Sequence, residues 1–165
     1  MNEKYPLSRK MQKIVSLSNT FTERDVEKLT PEAINNLNKK SIPNSRFVRK
    51  LFNKPAPHIS KTTYVIPVTG GVITGHFYSS SADLAMTSLK PLIIYMHGGG
   101  WVFGNMDLYG LYCSHIAAVT NSSVLLLDYR LAPQYKFPTA IEDCYDAYLW
   151  ALQGVRYWKV DPDRL

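Results

Sequence analysis

"PLIIYMHGGGWVFGN", residues 91–105, is the stretch on which the reading of this chain turns. Leu92 to Met96 form an apolar run too continuous for a half-exposed strand, which predicts a central β-strand covered on both faces. The run ends in His97, followed by Gly98, Gly99, Gly100 and Trp101. Glycines at the tip of a strand open backbone conformations closed to other residues and let N–H groups approach a bound atom closely. Three uses fit that physics. A phosphate cradle is the weakest, because the Lys and Ser/Thr of a P-loop are missing and the spacing does not suit a dinucleotide. A plain flexible turn is the second. The third is an oxyanion hole, a set of preorganised donors facing the negative oxygen of a tetrahedral intermediate.

Downstream of this stretch, "DLYGLYCSHIAAVTN" predicts a helix with Asp107 near its start, and "SVLLLDYR" a second buried strand. "TAIEDCYDAYLWALQGV" predicts an amphipathic helix with Ile141, Tyr145, Tyr148 and Leu149 as its apolar stripe. "WKVDPDRL" then makes a turn, and Arg164–Leu165 would open another strand. Upstream, "KTTYVIPVTGGVITGHFYSS" is β-branched and aromatic around Gly70-Gly71, which predicts an antiparallel hairpin. Residues 80–90 are polar and read as a loop.

The first third predicts helices. Leu7, Met11, Ile14 and Val15 keep helical spacing, and Thr22 with Asp25 resembles a capping box. In "TPEA", Thr30 caps, Pro31 takes the first helical position, and Ile34 and Leu37 point inward. Ser45 caps a short helix through Phe47, Leu51 and Phe52, which Pro55 and Pro57 stop. Helices, a hairpin and then β-α-β-α give an α/β fold with parallel strands after the hairpin. The expected division is a helical cap region over 1–55 and a partial α/β domain over 56–165.

The formal charge of +6 is uneven, with residues 1–60 at +7 and the remainder at −1. No run exceeds two basic residues and no nucleic-acid motif occurs, so the basic third reads as a solvated helical surface. Cys113 and Cys144, the only two cysteines, lie in apolar stretches without metal-ligand spacing and read as reduced, buried thiols. The start lacks an apolar signal core and no apolar run approaches spanning length, so a cytoplasmic protein without a membrane span is expected.

One resemblance gathers these features. "HGGGW" at 97–101, Gly104 with Asn105, "DYRLAP" at 128–133, "FPTAIEDC" at 137–144 and "DPDRL" at 161–165 occur in the order and spacing of the hormone-sensitive-lipase-like esterases, within the α/β-hydrolase fold. The chain resembles the N-terminal half of that family, with the helical start resembling its cap. The resemblance implies carboxylic ester hydrolysis, often of short acyl chains, by a Ser-His-Asp triad with no metal or organic cofactor. It implies oxyanion-hole donors at Gly98, Gly99 and Gly100, a supporting role for His97 in the loop's shape, and a pocket wall at Trp101, for which a place in the core fits the sequence equally well. Arg130 is expected to pair with a carboxylate, and Glu142 and Asp143 to make structural ion pairs, since neighbours on a helix point apart.

The nucleophile of that family sits in a G-x-S-x-G elbow. No serine here has glycine two residues before and two after. Ser114 beside His115 looks catalytic on paper, but adjacent helical residues cannot face each other to pass a proton. The triad is therefore expected outside these 165 residues, supplied by a complementary C-terminal half, and the chain alone is expected to be inactive. The alternative is a hydrolase relic that serves as a binding module for a small acyl ligand or a partner.

Overall fold

The structure, a computed structural model, describes residue 12 and residues 29–39, 55–80, 89–104, 106–155 and 157–165. The expected helices around Leu7–Val15, Thr22 and Ser45–Phe52 lie outside the described residues, as do Asn105 and most of the 80–90 loop. The first element, α1, spans Pro31–Asn38. Thr30 accepts from the Ala33 amide at 3.2 Å and Pro31 occupies the first turn, as "TPEA" predicts. Ile34 is buried.

Strands β1 (Ile59–Val68) and β2 (Gly71–Ser80) form the predicted hairpin, with Val68 opposite Gly71. Gly70 turns the chain at φ 75°. Then follow β3 (Leu92–Met96), α2 (Met106–Thr120), β4 (Ser123–Asp128) and α3 (Thr139–Gly154). The four strands lie in the order β1-β2-β4-β3, with β2 antiparallel to β4 and β3 parallel to it.

Alternation along β4 builds the two cores. Val124 and Leu126 face Cys113 and Ala117 of α2, while Leu125 and Leu127 face Ala147 and Ala151 of α3. All four β4 side chains are fully buried, each contributing about 1.5–3 kcal/mol relative to exposure. Helices thus cover opposite faces of one sheet. Tyr64, Phe77, Trp150 and Trp158 close the α3 side with ring centroids 4.9–6.1 Å apart.

Two expectations are corrected. The strand covered on both faces is β4. Leu92 is buried, but β3 forms the margin of the described sheet, and Met96 is half exposed. Along its outer side run residues 159–164: Lys90 bridges Val160 in parallel, and the Leu92 amide donates to Arg164 O at 3.0 Å. The expected extra strand is present only as that bridge. The second correction concerns α3. Ile141, Tyr145, Tyr148 and Leu149 are exposed, and the buried stripe is Ala140, Asp143, Ala147 and Ala151. Small side chains let the helix lie close to the sheet, and an ion pair satisfies the carboxylate among them.

That partner is Arg130, as its position in "DYRLAP" implies. Asp143, fully buried, accepts from the Arg130 amide at 3.0 Å and from Nε at 2.9 Å, and pairs with its guanidinium. The same guanidinium donates to Thr69 O at 2.7 Å and Gly70 O at 3.3 Å, tying the hairpin turn to the ends of β4 and α3. Glu142 is exposed.

Candidate active site

Parallel β3 and β4 end on the same side of the sheet, where open α/β folds place their ligands. His97 leaves β3 there and is 3% exposed. Its ring stacks on Tyr129 at 4.2 Å and on Tyr109 at 5.0 Å. Nδ1 lies 2.9 Å from Gly98 O, and a carbonyl can only accept, so Nδ1 carries the hydrogen. Nε2 is buried with no partner among the described residues. Burial pushes the His97 pKa below 6.5, against the opposing pull of the Gly98 carbonyl and Asp128. Burial thus favours the neutral ring, bonded to the first glycine of the loop.

The tyrosines pin the same peptides. Tyr109 Oη donates to Gly98 O at 2.9 Å, and Tyr129 Oη donates to His97 O. Burial pushes the Tyr129 phenol up to about 12, which keeps it a donor at neutral pH.

The glycines then form a tight left-handed bend. Gly99 and Gly100 have φ of 131° and 63°, and Trp101 follows at 59°. Gly99 O accepts from the amides of Val102 at 3.2 Å and Phe103 at 2.9 Å. A Cβ on Gly99 would stand 1.8 Å from Phe103 O, so no other residue fits. A Cβ on Gly104 would stand 2.7 Å from the His97 ring. For a residue as bulky as Trp, positive φ is an outlier that the surroundings must impose. Here the Ala132 amide holds Trp101 O at 2.9 Å.

Among the described residues, no acceptor takes the amide hydrogens of Gly98, Gly99, Gly100 or Trp101. Gly98, Gly100, Trp101 and His97 line a cleft of about 460 Å³, walled also by Tyr129, Ile141 and Cys144. Trp101 is 61% exposed and belongs to this cleft, not to the core. Cys144 is half-buried, a departure from the expected burial, and its thiol is pushed up to about 11 by that environment and by Asp143. Cys113 is fully buried. Ser114 is buried, and its hydroxyl donates to Leu111 O at 2.8 Å and accepts from the Ala56 amide at 3.2 Å.

Residues 93–165 match the family model described as the alpha/beta hydrolase fold. Similar proteins include the carboxylic ester hydrolase LipN of Mycobacterium tuberculosis, 37% identical over 97 residues, covering 59% of this chain and 25% of that protein. The acetyl esterase of Salmonella paratyphi B is 34% identical over 95 residues, covering 58% and 28%. Among solved structures, the metagenomic carboxylesterase EstE1 superposes with a TM-score of 0.65 at 32% identity, over 82% of this chain and 43% of that one. The hyperthermophilic esterase of Pyrobaculum calidifontis gives 0.68 at 28%, over 95% and 47%. The chain thus spans about a quarter of those curated relatives and under half of those solved chains. The α/β-hydrolase sheet here is partial: four strands, with the glycine bend at the tip of β3.

Contacts invisible to sequence reasoning complete the site. Tyr109 lies in a stretch read only for helical periodicity, and Cys144 is expected as a buried thiol, not as a wall of the cleft. Asn38, at the end of α1, reaches the bend from more than 60 residues away, and no local signal could have found it. Among the described residues no cluster of His, Cys, Asp or Glu could hold a metal, and no helix is long and apolar enough to cross a membrane.

Proposed function

We propose that this chain carries the oxyanion-hole half of a serine-nucleophile carboxylic ester hydrolase that acts on small, short-chain acyl esters. One observation carries the reading. Gly98 and Gly100 border the cleft within a bend whose amide hydrogens lack acceptors among the described residues. When an oxygen nucleophile attacks an ester carbonyl, an electron pair moves onto the carbonyl oxygen. Fixed amide donors stabilise that charge without reorganising, and losing one such donor typically lowers kcat by about 10²–10³. Gly98–Gly100 provide these donors, neutral His97 holds the loop, and Trp101 walls the substrate pocket. Similarity to proteins named as carboxylic ester hydrolase, acetyl esterase and carboxylesterase supports the same chemistry.

The nucleophile, acid and base come from outside these 165 residues, by continuation of the chain or from a complementary one. Support comes from the absence of any G-x-S-x-G in the sequence and from the internal satisfaction of Ser114. Residues 1–55 form the cap, of which α1 is a described part, and the protein works in the cytoplasm on ester substrate without a cofactor.

The test is p-nitrophenyl acetate hydrolysis by the 165-residue chain and by the product of the complete reading frame that encodes it. We expect turnover only from a product that supplies an elbow serine. Robust turnover by residues 1–165 alone would overturn the external triad. An elbow-containing product that leaves the ester intact, or a frame that encodes no elbow, would favour the non-catalytic binding module.

A further inference from the structure

From the side-chain geometry of α1 we infer that Asn38 is a positioning residue through which the cap region sets the shape of the glycine bend. Its catalytic meaning rests on the ester-hydrolase reading above. Asn38 Nδ2 donates to Val102 O at 2.8 Å, and its Oδ1 accepts from the Gly104 amide at 3.2 Å. A carbonyl can only accept and an amide hydrogen can only be donated, so the two ends of the Asn38 amide are fixed by chemistry. The side chain behaves as one extra peptide unit paired across Phe103. Asp lacks the donor end, and Ala lacks both.

The place of these two contacts matters. Val102 and Phe103 donate to Gly99 O, and Gly104 packs edge-on to the His97 ring. The far side of the bend is therefore held at 102 and 104 by Asn38, and the near side at Gly98 O by His97 and Tyr109. With Asn38 gone, the near-side anchors remain, but nothing from α1 fixes the return of the chain. Donors that wander by an ångström lose much of their value for a developing charge. Docking of the cap thereby tunes the oxyanion donors without touching substrate.

Hydrogen exchange on the 165-residue chain tests this directly. In Asn38→Ala, the Gly104 amide and the Val102 and Phe103 amides of the bend exchange roughly 5–30-fold faster, the factor for losing one or two such contacts. Exchange over Val124–Leu127 stays unchanged. Asn38→Asp keeps the acceptor, so its Gly104 exchange falls between wild type and Ala. Asn36→Ala, an exposed neighbour on the same helix, leaves the bend as it was. Unaltered Gly104 exchange in Asn38→Ala overturns the inference. So does equal acceleration in β4, which would make Asn38 a general stabiliser, or identical behaviour of the Asp and Ala variants. In an esterase-active full-frame product, Asn38→Ala lowers kcat about tenfold and leaves KM within twofold. An unchanged kcat there overturns the positioning role. A wild-type product without esterase activity sinks the function reading instead, and exchange still decides the Asn38 contact.

Discussion

Replacing Gly99 and Gly100 in turn by alanine separates two kinds of glycine requirement in one bend. At Gly99 the added Cβ would stand 1.8 Å from Phe103 O, whereas non-bonded Cβ contacts do not fall below about 3.0 Å. The 99–103 turn must open by more than about 1 Å, which breaks the donations of Val102 and Phe103 to Gly99 O. Two such bonds contribute about 1 kcal/mol each. Holding a side chain at φ 131° adds about 1–3 kcal/mol. The expected destabilisation by Gly99→Ala is about 3–5 kcal/mol. At Gly100 no atom lies within 4 Å of the added Cβ, and only the left-handed backbone at φ 63° opposes it. That effect is about 1–2 kcal/mol. In urea unfolding with a slope of about 2 kcal/mol/M, the midpoint falls by roughly 1.5–2.5 M for Gly99→Ala and 0.5–1 M for Gly100→Ala. Equal shifts, or a larger one at Gly100, would refute the described bend and with it the aim of its amides.

Two further predictions follow from buried groups. Arg130→Ala leaves fully buried Asp143 without its partner and strips donors from Thr69 O and Gly70 O, so a loss of about 3–5 kcal/mol is expected in thermal or urea unfolding. Arg130→Lys recovers little, since an ammonium cannot span that fork. For His97, burial lowers the folded pKa below the unfolded 6.5. Between those two values the unfolded chain binds the proton and the folded chain does not, so stability is complete above pH 6.5 and is lost as pH falls towards the folded pKa. His97→Phe keeps the stacking and removes this titration. Urea unfolding at pH 7.5 and 5.5 then shows a smaller difference than in wild type, the remainder including His76, whose pKa burial also lowers. An unchanged difference would contradict a neutral His97.

The contrast between α3 and the glycine bend shows what kind of information the sequence carried. The bend could be read because its demands are local: a strand tip, three residues without Cβ, and a His to brace them. The α3 stripe was misread because Ile141, Tyr145, Tyr148 and Leu149 share the helical period with Ala140, Asp143, Ala147 and Ala151. Periodicity states that one face is apolar but not which face meets the sheet. That choice belonged to the close approach of small residues to β4 and to the Arg130–Asp143 pair.

Sequence alone determined the types of the described elements, the hairpin at Gly70-Gly71, the Thr30 cap and the position of the glycine bend, because each follows from the conformational limits of neighbouring residues. Tertiary structure alone decided that β4 and not β3 lies inside the described sheet, that two tyrosines flank His97, and that Asn38 grips the bend. Those facts depend on groups distant in the chain arriving within hydrogen-bonding or van der Waals reach, and only the folding of the whole sheet brings them there.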